Sequence, residues 1–154
     1  MEKLIRRIKS NEGFRNHLYL DSEGFLSGGY GHHFYVGSRL PADAAEILFK
    51  MDITAAISEF MKISPVLRKK LNPARKRVVV EMIFNMNLQK VLSFKKFWTA
   101  VELEDWHECK VQMLDSKWHQ QVKGRAERLA DIFEKGEDGD EEKDFDSGNF
   151  TGNG

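Results

Sequence analysis

The stretch from Phe14 to Val36 constrains the chain most. Its short aromatic and aliphatic runs are cut by Gly24, Gly28, Gly29 and Gly31, with Gly37 just beyond. Such runs are too short and too interrupted for a helix, so a small antiparallel sheet is expected there. Asp21-Ser22-Glu23-Gly24 supplies a hairpin turn, since Asp favours the first turn position and Gly the last. On both sides the pattern returns to helix. Residues 2–11 place Leu4, Ile5 and Ile8 on one helical face, and Gly13 provides a stop. Pro41 suits a helix start, and from Ala42 to Lys62 the apolar positions Ala44, Ile47, Leu48, Met51, Ala55 and Phe60 recur at steps near three and four. A helix of some 20 residues spans about 30 Å, enough to serve as the spine between two lobes. Ser64-Pro65 interrupts it.

Asn72-Pro73 is an N-cap and N1 pair opening a helix to about Met86. Its later part, VVVEMIFNM, is apolar almost all round, the mark of a helix in the middle of a bundle. Helices are also expected from Ser93 to about Leu103, over Asp105–Leu114 and over Lys123–Lys135, with no strand signal in this half. The expected class is α+β: a small antiparallel sheet lobe over residues 1–40, a long helix over 41–62, and a helical C-terminal lobe over 63–135. From Gly136 the apolar residues nearly vanish, so residues 136–154 are expected to be disordered.

A chain of 154 residues suits one domain, or one domain in two lobes, and can bury a core without staples. Cys109 is the only cysteine, so no intrachain disulfide forms. No stretch approaches a membrane span of about 20 apolar residues, and the N-terminus reads as an opening helix rather than a secretory signal. Synthesis in a cytosol is therefore expected, with a separate exit route for any task outside it. Charge is balanced in sum but not in place. Residues 137–154 hold seven acids against Lys143, net −6, which leaves the body at net +6. A basic body suits an anionic polymer: nucleic acid, a membrane surface or an acidic cell wall.

Two acids stand out by position. Glu12 continues the stripe of Ile5 and Ile8 and lies in the last turn of its helix, where the dipole disfavours an anion. Partial burial and the dipole would both raise its pKa, as a general acid needs, although a helix-end Glu pointing to water fits the same local pattern. Asp21 needs no function beyond opening its turn, and Ser27 could be an ordinary strand hydroxyl beside Gly28-Gly29. Taken together they form a pattern: an acid at a helix end, an acid nine positions on at a hairpin turn, and a hydroxyl six further before Gly-Tyr-Gly-His.

That pattern resembles the phage-type lysozymes, glycoside hydrolase family 24. The matching residues are Glu12-Gly13-Phe14-Arg15, Tyr19, Asp21, Gly24, Gly31 and His32, followed by Ala44–Phe49, Met82–Met86, Ser116-Lys117-Trp118 and Gly124–Arg128. They cover nearly all of residues 1–135. The resemblance implies a two-lobed lysozyme-like fold and cleavage of the β-1,4 bond between N-acetylmuramic acid and N-acetylglucosamine in peptidoglycan. Two carboxyls are the minimal kit for that reaction. By resemblance Glu12 is the acid, Asp21 the ionised partner, and Ser27, usually Thr in the family, holds the water. Direct attack by water inverts the anomeric centre with carboxyls roughly 6.5–9.5 Å apart, and a nucleophilic Asp21 would need about 5–5.5 Å; the family leans towards inversion. Arg125 resembles an arginine that reaches Glu12. Phe84 and Asn85 match cleft-floor positions, and His33, Phe97 and Gln112 fall on sugar-contact positions where this chain differs from the usual residues.

No cofactor is implied, and the five histidines show no metal spacing. Trp98, Trp106 and Trp118 read as core, and Cys109 as a packed thiol. The runs Arg68-Lys69-Lys70 and Arg75-Lys76-Arg77 accompany no nucleic-acid motif and suit an anionic wall polymer equally. Peptidoglycan strands are the expected partner, with no nucleic acid, no membrane insertion and a monomeric chain. The competing readings are a lysozyme-like module that holds glycan without cutting it and a basic nucleic-acid-binding domain.

Overall fold

The structure is a computed structural model and describes residues 1–138; the rest of the acidic segment, where most of the disorder expectation falls, lies outside the described residues. The chain divides into two compact units, Met1–Glu46 and Ile47–Gly154. Among the described residues the class is α+β, mostly helical with one three-stranded antiparallel sheet.

The first unit opens with α1 (Glu2–Glu12). Gly13 ends it at φ 69° and returns its amide to the Lys9 carbonyl, the positive-φ stop expected from sequence. Strands β1 (Arg15–Leu20), β2 (Leu26–Gly29) and β3 (His32–Phe34) follow in the order β1-β2-β3, so β2 is central. The β1–β2 turn forms as predicted: the Gly24 amide donates to the Asp21 carbonyl at 3.0 Å and the Asp21 amide to the Phe25 carbonyl at 2.9 Å. Tyr19 pairs with Ser27 and Ser27 with His33, which aligns the three in one cross-strand row on one face. The apolar stripe of α1 is not buried as the sequence pattern suggests. Leu4, Ile5 and Ile8 are 43–48% exposed, and α1 contributes no buried residue.

Helix α2 (Ala42–Met61) matches the long helix expected, but its only buried residues are Ala56 and Phe60; Ile47, Leu48 and Met51 are exposed. In the second unit α3 (Pro65–Lys70) precedes α4 (Pro73–Met86), whose first turn is capped by the Asn72 side chain accepting from the Arg75 amide at 3.0 Å. Val78, Val79, Met82, Ile83 and Met86 of α4 are buried, while Val80 is half-buried and Phe84 exposed, so the apolar run is not covered all round. Helices α5 (Leu88–Leu92), α6 (Lys95–Leu103), α7 (Trp106–Leu114), α8 (Lys117–Val122) and α9 (Gly124–Lys135) follow among the described residues. α7 packs on α6 and α9, and α4 on α5 and α9, around Phe97, Phe133, Met113 and Cys109. The short helices α3, α5 and α8 were not expected from sequence.

A buried cation closes this core. Arg75 donates through Nε to the Phe133 carbonyl at 2.8 Å and through Nη2 to the Glu134 carbonyl at 3.0 Å, and its guanidinium lies 3.9 Å over the Trp106 ring. Asn72 donates to the Gly136 carbonyl at 2.7 Å. The carbonyls at the end of α9, which lack partners within the helix, are thereby satisfied by the first turn of α4.

Candidate active site

Asp21 is held from several directions by its own hairpin. Oδ1 accepts from the amides of Phe25 at 2.9 Å and Glu23 at 3.0 Å, and Oδ2 accepts from the Ser27 hydroxyl at 3.1 Å. Nε2 of His33 is 3.4 Å from Oδ2. These contacts hold the carboxyl below the usual carboxylate range. The Phe25 amide is the main cause; partial desolvation opposes it, while the Glu23 amide, the Ser27 hydroxyl and the imidazole assist. The result is a fixed anion, consistent with an ionised partner in a two-carboxyl reaction.

Ser27 bonds Asp21 directly. The residue is 1% exposed on the central strand, flanked by Tyr19 and His33, and its single proton lies between Asp21 Oδ2 and, at 3.4 Å, the Phe25 carbonyl. In this arrangement the hydroxyl orients the carboxylate.

Glu12 is exposed, the second of the two placements that its local sequence pattern allows. The reason is local: the chain turns at Gly13, and the carboxyl extends to the bare backbone of Gly31 in the β2–β3 turn. A Cβ built on Gly31, whose φ is +78°, would lie 3.1 Å from Glu12 Oε2. Beside it, Phe14 packs on Tyr30 with ring centroids 5.2 Å apart, and Lys9 Nζ lies 4.9 Å over the Tyr30 ring. Glu12 thus meets the turn that leads into β3, two residues before His33.

The remaining candidates lie in the second unit. Phe84 is 41% exposed, its ring edge-on to Phe49 at 5.8 Å. Asn85 accepts from the Trp118 indole N–H at 2.8 Å, a contact that explains the polar end of an otherwise buried tryptophan. Gln112 donates to Glu108 at 2.6 Å and lines a cavity of about 610 Å³ with Trp118, Phe94, Lys95, Lys96 and Lys117. Arg125 is exposed on the first turn of α9. Phe97 is a correction. It is 0% exposed, its ring 5.0 Å from Trp98 and 5.1 Å from Phe133, so it packs the core instead of facing a ligand. The lysine rim of the cavity was not apparent in the sequence because it joins two helices, Lys95 and Lys96 from α6 and Lys117 from α8, whose residues read separately as ordinary surface. Cys109 is buried, and burial pushes its thiol up to about 12, consistent with an inert packed residue.

An α+β fold with a hairpin-held carboxylate and a second carboxyl at the turn of the same small sheet defines a lysozyme-like protein. Comparison with known proteins agrees: residues 9–132 match the phage lysozyme family, and the chain belongs to that family. Among its relatives, Probable T4-type lysozyme 1 and Probable T4-type lysozyme 2 of Dictyostelium discoideum are each 26% identical over 84% of this chain and 92% of their own. The Pre-baseplate central spike protein Gp5 of Enterobacteria phage T4 is 28% identical over 86% of this chain and 27% of its own length.

Proposed function

We propose that this protein is a muramidase that hydrolyses the β-1,4 bond between N-acetylmuramic acid and N-acetylglucosamine in peptidoglycan, lysing bacterial walls. Support comes above all from Asp21, an anion fixed by two amides and a hydroxyl before any substrate arrives. In this reading Glu12 protonates the leaving oxygen, while Asp21 activates water on the opposite face of the sugar or stabilises positive charge at the anomeric carbon. Ser27 keeps Asp21 aimed. Phe84, Asn85, Gln112 and Arg125 are the candidate substrate contacts, and the lysines around the Gln112 cavity suit an acidic wall polymer. The enzyme acts as a monomer after release from the cytosol by a separate route. Among the described residues no helix is long and apolar enough to cross a membrane.

The test is turbidity clearance of permeabilised Gram-negative cells by the parent and by Glu12→Gln. The amide keeps the shape and removes the transferable proton, so clearance should fall by about a hundredfold or more while wall binding persists. Undiminished lysis by Glu12→Gln would refute the mechanism. A parent that binds walls without clearing them would establish the glycan-holding module instead.

A further inference from the structure

His33 makes contacts that a sugar-facing residue does not need. Its register with Ser27 places it in the same cross-strand row as that hydroxyl. Its ring stacks on Phe25 with centroids 5.5 Å apart and planes 17° from parallel. Its Nε2 approaches Asp21 Oδ2, the oxygen that already accepts from Ser27. Phe25 therefore acts twice: its amide holds Oδ1, and its ring orients the imidazole that meets Oδ2.

We propose that His33 is a positioning residue for Asp21, completing the cradle of amides and hydroxyl from the one side that β3 faces. The inference rests on Asp21 being the ionised partner in the reaction proposed above. A neutral imidazole with its proton on Nε2 offers a donor to Oδ2, and a protonated one adds a positive charge beside the carboxylate. Either state favours the anion in one orientation.

The ionisable neighbours that bear on this pair are few. Asp21 faces the imidazole directly, and Glu23 sits on the same turn with its amide bound to Asp21 Oδ1. In the cross-strand row stands Tyr19, with the Arg15 guanidinium 4.2 Å over its ring. His32 precedes His33 on β3 and so projects to the opposite face, where its ring meets Phe34 edge-on at 4.8 Å.

Two measurements on the full chain decide the matter. In nitrogen-15 NMR of the imidazole, removing the carboxylate with Asp21→Ala should shift the His33 Nε2 resonance, because the partner at Oδ2 is gone, and leave that of His32 in place. An unchanged His33 resonance overturns the pairing. In kinetics on soluble peptidoglycan fragments, His33→Phe retains a flat ring for stacking on Phe25 but no nitrogen. Losing one contact to a charged group should lower kcat on the order of tenfold and leave KM little changed. The acid limb of the kcat/KM profile should move to higher pH, because Asp21 then ionises less readily. A raised KM with unchanged kcat would make His33 a sugar contact and overturn the inference. An inactive parent refutes the muramidase reading and the kinetic half of this inference, while the nitrogen spectrum still decides whether His33 and Asp21 are paired.

Discussion

Gly31→Ala separates the acid's position from the stability of the sheet. Gly31 has φ +78°, a conformation that costs a residue with a Cβ about 1–2 kcal/mol. At about 2–4 °C per kcal/mol for a chain of this size, Tm should fall by roughly 2–8 °C. The new methyl would also stand 3.1 Å from Glu12 Oε2, closer than an ordinary contact. Glu12 ends a flexible, exposed side chain, so it yields at little cost to folding, but it yields by moving the carboxyl. Displacements of a fraction of an ångström at a reacting group can cost on the order of tenfold in rate, and an ångström about a hundredfold. Gly37→Ala is the control: its φ is +87° and nothing lies within 4 Å of the added methyl. Both variants should lose similar thermal stability by circular dichroism, and Gly31→Ala alone should lose on the order of tenfold in turbidity clearance. Equal activity in the two variants would refute the placement of Glu12 against that turn.

Three further expectations follow from the geometry. Ser27→Ala removes the hydroxyl from Asp21 Oδ2 and should cut clearance on the order of tenfold, whereas Ser27→Thr keeps the hydroxyl and should stay close to the parent; matching rates for Ala and the parent would remove Ser27 from the site. Arg75→Ala leaves the Phe133 and Glu134 carbonyls unpaired and Trp106 without its cation, so calorimetry should show a loss of about 2–4 kcal/mol, and a loss under about 1 kcal/mol would show that the buried cation is dispensable. Because Asp21 is held below its ordinary range, its contribution to stability is full above the unfolded-state pKa of about 4 and is lost as pH falls through the folded value. Acid unfolding of Asp21→Asn should accordingly be less steep than that of the parent.

Much of this was legible in the sequence wherever a local rule governs. The Gly13 stop, the Asp21–Gly24 turn, the Asn72 cap and the buried run of α4 each depend on neighbours within a few residues. The short helices α3, α5 and α8, of five or six residues, hold too few turns to show a period. The stripe of α1 illustrates a different limit. Periodicity predicts which face of a helix is apolar, and whether that face is covered depends on tertiary packing, so the local pattern left Glu12 open between partial burial and exposure. Phe97 failed for a related reason. On a helix of mixed composition nothing local separates a ligand-facing ring from one wedged between Trp98 and Phe133. His33 needed the strand register, which the three residues Gly29, Tyr30 and Gly31 between the paired positions fix and composition alone does not.

The contacts that hold Asp21 all come from its own turn and the two strands after it, and the most distant partner, His33, is twelve positions along the chain. This makes the anion's cradle a cassette with a strict reading frame. Substitutions elsewhere can weaken the helical unit and leave the cradle whole. A single residue inserted or deleted between Asp21 and His33 that shifts the strand pairing turns Ser27 or His33 to the other face of the sheet. In this family member, tolerance of length changes between residues 21 and 33 should therefore be close to nil, even where tolerance of side-chain changes is considerable.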